Sequence, residues 1–285
     1  MTILGVVGSI VTQIMIGQQR FFQRMNEQTV VRRELRAASS LMPSELRALS
    51  SGTGDITAFD NMSISFRATI GSSVICDKPA STTIGLAPPN MARMTLTSWI
   101  TTPTVGDIVS VLRADSVGVK GDFWSEHTIT AISLTTNACA GSALLDPTLD
   151  AGKDRWRLTV TPALDDSVVD GSAVRVLRQT RYALAQQASG RWYLGRSELS
   201  NGGWGSAVPV SGPYQPPAAA GTGGMSIAMY DTLGTQVSSI ANVSKVARID
   251  VVLRARGRSG SGSVGGASTA VEDTLAFRVA LRNRR

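Results

Sequence analysis

The sequence predicts an α+β chain: a long N-terminal α-helix packed on antiparallel β-structure. Three observations predict it. No charged residue occurs between Met1 and Gln19. From Phe21 onward, apolar residues recur every three or four positions. After about Ser50 the chain turns to Ser, Thr, Gly, Val and Ala, with apolar and polar residues alternating, a mixture that favours strands and turns.

The first element is read over residues 1–50. Phe21, Met25, Gln28, Val31, Leu35, Ala38, Met42 and Leu49 mark one helical face, and Arg20, Arg24, Glu27, Arg33, Glu34 and Arg36 mark the opposite one. The helix is therefore uncharged all round at its start and two-faced behind. Fifty residues at 1.5 Å each make a rod of roughly 75 Å. The opening stretch is diluted by Thr2, Ser9, Thr12 and Gln13, which makes it marginal as a membrane span. Pro43 removes a helical hydrogen bond and predicts a kink or a fresh start at Pro43-Ser44-Glu45. The Gly-containing run Ser50–Gly54 is the expected stop.

Residues 51–285 read as a β-rich domain, with a β insert expected near 80–170. Ile64, Phe66, Ala68 and Ile70 alternate as a half-buried strand that continues into Val74–Cys76. Further strands are expected over Met94–Ile100, Ile108–Arg113, His127–Leu134, Trp156–Val160, Val174–Leu184, Arg191–Leu194, Ser226–Tyr230, Val246–Arg256 and Leu275–Arg282. Gly121-Asp122 and Asp170-Gly171 mark turns. Gly212–Gly224 reads as a linker-like loop because of its prolines and glycines, and Arg256–Ala270 as a Gly/Ser-rich loop.

Composition narrows the chemistry. At 285 residues and 42% hydrophobic, the chain can bury a core without a metal. Its net charge of +7 is carried mainly by arginines dispersed among strands. Nucleic-acid binding by charge wants a clustered footprint, so this balance argues against it. The two cysteines, Cys76 and Cys139, form no CxxC pair, and a single histidine cannot complete a zinc site, so no metal or cofactor is expected. In an exported protein the two cysteines could pair; inside the cell they would be buried thiols. Ser125-Glu126-His127 places suggestive residues together, but strand neighbours point to opposite faces, so no catalytic relay is expected. Asp165, Asp166 and Asp170 do not match a calcium loop. Most of Trp99, Trp124, Trp156, Trp192 and Trp204 are expected in the core.

The stretch MTILGVVGSIVTQIMIGQQRFFQ, leading into a β-rich domain, resembles the first helix of the type IV pilin family, above all its minor pilins and minor pseudopilins. Trp192-Tyr193-Leu194, the run Met225–Asp231, Ala247–Val251 and Phe277–Asn283 agree with this; the middle, about 80 to 170, matches nothing. The family's basic leader, the Gly before its cleavage point and the Glu five residues into the mature helix are not present, which suggests that the natural start lies upstream of Met1. The resemblance implies a non-enzymatic structural subunit of a pilus or type II secretion pseudopilus. It would wait in the inner membrane with its globular part outside the cytoplasm, although the arginines that follow the apolar run would by themselves favour the opposite orientation. Its partners would be other pilin or pseudopilin subunits. Gly5, Gly8, Ser9, Ile14, Phe21, Phe22 and Met25 are the residues expected to pack helix against helix, the small ones permitting close approach. The competing expectation is an adhesive or DNA-binding module displayed by the same anchor, using the 80–170 insert or the Arg256–Arg258 loop.

Overall fold

The computed structural model describes residues 2–52, 54–92, 96–113, 123–136, 139, 142–200, 202–218, 222–257 and 270–281, with side chains described in the first helix at position 8 and from Ile10 onward. The elements run in the order α1 (Thr2–Arg47), β1 (Ile56–Phe59), β2 (Ser63–Ala80), β3 (Thr83–Leu86), β4 (Ser98–Trp99), β5 (Ile108–Arg113), β6 (Phe123–Thr135), β7 (Arg155–Thr161) and β8 (Ala173–Gln186). They continue with β9 (Trp192–Ser200), β10 (Gly203–Trp204), β11 (Val208–Tyr214), β12 (Met225–Tyr230), a 3-10 helix (Ile240–Lys245), β13 (Arg248–Arg256) and β14 (Glu272–Ala280). The class is α+β, and every strand pairing with a defined register is antiparallel.

The chain divides into two compact units. Met1–Phe66, Arg181–Ser197 and Ala207–Arg285 form one; Arg67–Thr180 and Glu198–Ser206 form the other. The helix thus shares a unit with the C-terminal strands. In this first unit β13 lies between β12 and β14, with Val251 opposite both Ile227 and Phe277. Alternation puts Ile249, Val251, Leu253 and Ala255 on one face of β13, and all four are buried. Val31, Leu35, Ala38, Met42, Leu46 and Leu49 of the helix side are buried too, and α1 packs on β11, β13 and β14. Each of the Val, Ile, Leu and Met side chains among them contributes about 1.5–3 kcal/mol of hydrophobic stabilisation. That packing explains a departure from expectation at Pro43, which lies buried inside a continuous helix rather than starting a new one. Its two neighbours on the packed face, Met42 and Leu46, are fully enclosed, which offsets the lost hydrogen bond.

Gly212-Pro213-Tyr214 is not loop, as its composition suggests, but the end of β11. The ladder with β9 is broken by irregularities between Pro209 and Ser211 and between Ser211 and Tyr214, the places where a strand tolerates proline. Gly212 has φ +142°, and a Cβ there would lie 2.8 Å from the Tyr193 ring. Only glycine fits.

In the second unit the strand order β3-β7-β6-β5-β8 returns on itself, because β2 pairs with both β3 and β8. Six strands therefore close a small barrel and leave no free edge among themselves. Its interior is filled by Ile75, Ile84, Leu86, Val109, Val111, Ile129, Leu158, Val160 and Val174, with Leu164 and Val168 added from the β7–β8 connection. Trp99 on β4 lies against Gly71 of β2, where a Cβ would sit 2.2 Å from the indole. Of the strand expected over Met94–Ile100, only Ser98–Trp99 pairs; 93–95 lie outside the described residues. β1, β3, β10 and β11 are short or Gly/Pro-containing strands without the periodic signal that betrays the longer ones. The Gly121-Asp122 turn and residues 258–269 lie outside the described residues, whereas Gly171 does turn the chain, at φ +91°.

Candidate functional site

The residues expected to pack helix against helix lie on the part of α1 that precedes its packed stretch. Ile14, Phe21, Phe22 and Met25 are exposed, Phe22 to 69%, and the rings of Phe21 and Phe22 meet edge to face at 6.1 Å. Gly8 is open, with nothing within 4 Å of a Cβ built on it. Gly5 and Ser9 lie in the helix, but their surroundings are outside the described residues. Ile10, Val11, Met15 and Ile16 are exposed as well. Phe21 and Met25 therefore do not continue the buried stripe, which begins at Val31. Among the described residues no helix is long and apolar enough to cross a membrane.

The two-faced half is polarised in a way its spacing did not suggest. Glu27 and Glu34 were expected among the outward charges, yet both are half-buried. Glu34 accepts a hydrogen bond from the Gly212 amide at 3.2 Å. Glu45 accepts one from the Tyr182 hydroxyl at 3.0 Å and pairs with Arg196 at 3.4 Å. Tyr182 is wholly buried and stacks on Phe66 at 5.8 Å. Burial, then the Glu45 charge, pushes its hydroxyl well above the usual tyrosine range. Tyr214, buried with its hydroxyl 2.7 Å from Ser211 Oγ, is pushed up to about 12, chiefly by burial. The outward face keeps arginine: Arg24, Arg32, Arg33, Arg36 and Arg47 are exposed. Beside Glu27 a groove of about 580 Å³ runs along the helix, lined also by Asn26, Arg191, Tyr193 and Pro213.

Cys76 and Cys139 are joined by a disulfide, their Cα atoms 5.1 Å apart and 63 residues apart in sequence. Asp77 beside them accepts from the Cys139 amide at 2.8 Å and pairs with Arg157 at 3.0 Å. With both sulfurs bonded to each other, that trio offers a cation only one carboxylate.

His127 needs a correction. Strand neighbours do oppose each other, but positions two apart share a face, and Ser125 and His127 do so. His127 Nε2 lies 2.9 Å from Ser125 Oγ, and Nδ1 lies 2.8 Å from the Pro162 carbonyl. A carbonyl only accepts, so Nδ1 carries a proton, and Ser125 Oγ, which can both donate and accept, satisfies Nε2. Glu126 points the other way and pairs with Arg67. The pair abuts the packed barrel interior, His127 only 5% exposed, and neither residue lines the groove along α1. The geometry is that of a satisfied buried histidine.

Of the tryptophans, Trp99 and Trp156 pack against the barrel core, 6.4 Å apart, whereas Trp124 and Trp204 are exposed, so they form no common platform. Hydrogen bonding from Ser167, whose amide donates to it at 3.0 Å, and then the Arg113 guanidinium hold the Asp165 carboxyl below the ordinary range. Sequence reasoning missed the buried ion network of the second unit. Arg178 donates to both Asp107 carboxylate oxygens at 2.8 Å, to Glu198 at 2.9 Å and to the Thr102 carbonyl at 2.9 Å. Val174–Leu184 carries three arginines, Arg175, Arg178 and Arg181, and nothing in its pattern singles out the one that is enclosed.

Compared with known proteins, the chain matches no family model, no curated protein and no solved structure.

Proposed function

We propose that this chain is a structural minor subunit of a type IV pilus or a type II secretion pseudopilus, assembled through its N-terminal helix. One observation carries the reading. A single helix is buried along one side on its own unit from Val31 to Leu46, while its preceding half presents Ile14, Phe21, Phe22 and Met25 to the outside, where no described residue covers them. Exposed aromatic and aliphatic side chains on a rod want lipid or other helices. In the inner membrane that surface is solvated by acyl chains, with the globular part outside the cytoplasm. In a filament it packs against the same surface of other subunits. Moving from lipid to a helix bundle gains nothing from expelling water, so close packing must drive it, and small residues favour close packing.

Gly8 gives a clean test, because among the described residues a Cβ there meets nothing within 4 Å. Gly8→Leu and Gly5→Leu should leave far-UV circular dichroism and cooperative unfolding unchanged while excluding the protein from sheared filaments or pseudopili in its natural host. Normal incorporation of both variants would count against the reading.

A further inference from the structure

The outward side of α1 is one continuous surface made of two chemistries. At 100° per residue, Val11, Ile14, Met15, Phe22 and Met25 fall on the same side of the helix as Arg32, Arg33 and Arg36, away from the sheet-packed line of Val31, Ala38 and Met42. On this side the apolar residues come first and Arg32, Arg33 and Arg36 follow within about three turns of Met25, whereas Arg20 and Arg24 lie on the other side of the apolar turns. Nothing in the helix neutralises those arginines. Its three acids, Glu27, Glu34 and Glu45, lie together along another side, half-buried, and the last two are engaged by Gly212, Tyr182 and Arg196. Among the described residues Arg24, Arg33 and Arg36 make no ion pair, and Arg32 meets Asp273 only at 3.4 Å with both groups well exposed.

From this arrangement we propose that the arginine collar binds the anionic headgroups of the leaflet that the apolar half of α1 enters, so that the chain selects acidic over zwitterionic phospholipid. The proposal deepens the membrane stage of the function proposed above and rests on it. The dimensions fit. Met25 to Arg33 is eight residues, roughly 12 Å of rise, so Arg32 and Arg33 lie within about one Debye length of the headgroup layer, and long arginine stems extend the reach, forward from Arg36 and outward from Arg24 on the last apolar turn. The continuity of the face argues for lipid over nucleic acid, which would meet the arginines but leave the aromatic residues uncovered. It also argues against a parallel second copy in register, which would set arginine against arginine. A basic residue near an acidic surface strengthens partitioning roughly fivefold, so three or four together predict a preference on the order of a hundredfold or more.

Flotation of the full chain with vesicles tests this, because bound protein rises and self-associated protein sinks. Vesicles of phosphatidylcholine alone are compared with vesicles containing about one third phosphatidylglycerol. The expected result is a hundredfold tighter partition to the acidic vesicles at low salt, shrinking to a few-fold near 0.5 M salt. The variant Arg24→Gln, Arg32→Gln, Arg33→Gln, Arg36→Gln should keep the weak phosphatidylcholine binding and lose the preference. Arg278→Gln, which removes an exposed arginine from β14, should change neither. Equal partition to both vesicles, protein that only sinks, a salt-insensitive preference, or a preference surviving in the four-glutamine variant would overturn the proposal. The two readings separate: loss of acidic-lipid selectivity with Gly8→Leu still blocking incorporation refutes the collar alone. Selectivity retained while Gly8→Leu incorporates normally refutes the filament role instead.

Discussion

Replacing Tyr182 by Phe probes the joint that holds the second half of α1 to its sheet. The hydroxyl donates to Glu45 at 3.0 Å from a wholly buried ring, and the ring stacks on Phe66. The substitution keeps the stack and removes only the oxygen. A hydrogen bond to a charged acceptor is worth about 1.5–3 kcal/mol. Because Glu45 keeps Arg196 at 3.4 Å, the carboxylate is not stranded, and the cost should fall near the lower end, about 1.5–2 kcal/mol. With a urea dependence of about 2 kcal/mol per molar, the midpoint of the first unit drops by roughly 0.8–1 M. Tyr182→Ala, which also empties the ring site, should cost about 3–5 kcal/mol. The decisive assay is a double-mutant cycle of Tyr182→Phe with Glu45→Ala, expected to show a coupling of about 1 kcal/mol or more. The pH dependence gives an independent check. Tyr182 holds its proton more tightly folded than unfolded, so its contribution is full below about pH 10 and declines as pH rises further. That part of the alkaline limb should vanish in Tyr182→Phe. Additive single mutants, within about 0.3 kcal/mol, together with an unchanged alkaline limb, would refute this account of the joint.

Three further outcomes follow from the second unit. Asp107→Ala takes two 2.8 Å contacts from a buried guanidinium, which keeps Glu198 at 2.9 Å, and should cost about 3 kcal/mol in urea unfolding, whereas the pair replacement Asp107→Leu with Arg178→Met should recover most of it. Asp150 is held below the ordinary carboxylate range, first by the Lys153 ammonium and, against burial, by the amides of Asp146 and Ala92. Its contribution is therefore full above about pH 4 and lost as pH falls below it, and Asp150→Asn should flatten that acid limb in a pH series of thermal melts. Removing the Cys76–Cys139 bridge, by reductant or by Cys76→Ser with Cys139→Ser, opens a loop of 63 residues and should cost about 2–4 kcal/mol; an unchanged melting point under reductant would contradict the bridge.

The α+β class was legible because two periods are hard to confuse over long segments. The three-to-four spacing of Val31, Leu35, Ala38 and Met42 can be satisfied only by a helix with one buried side, and those four are buried. Alternation through Ile64, Phe66, Ala68 and Ile70 belongs to a strand, and β2 contains them. Ile108–Arg113 was readable to the residue because a short run rich in Ile, Val and Leu starts directly after the Gly106-Asp107 step. Signals failed where tertiary partners overrode local preference. Pro43 stays helical because the side chains around it are enclosed, and Gly212-Pro213 stays in a strand because Tyr193 and Glu34 hold the backbone there.

The sequence alone determined where charge and grease are placed along the chain: an uncharged opening, arginines behind it, apolar strands after that. Only the tertiary structure decided which of those groups remain available. It turned Glu34 and Glu45 inward to Gly212 and Tyr182, left the arginines of α1 outward, set Ser125 beside His127, closed β2 onto both β3 and β8, and enclosed Arg178 with Asp107. The physical reason is one of range. Periodicity records how a residue relates to neighbours three or four places away, whereas hydrogen bonds and ion pairs in this chain join residues as far apart as 178 positions for Gly212 and Glu34 and 241 for Arg32 and Asp273, and no local pattern encodes a partner at that distance.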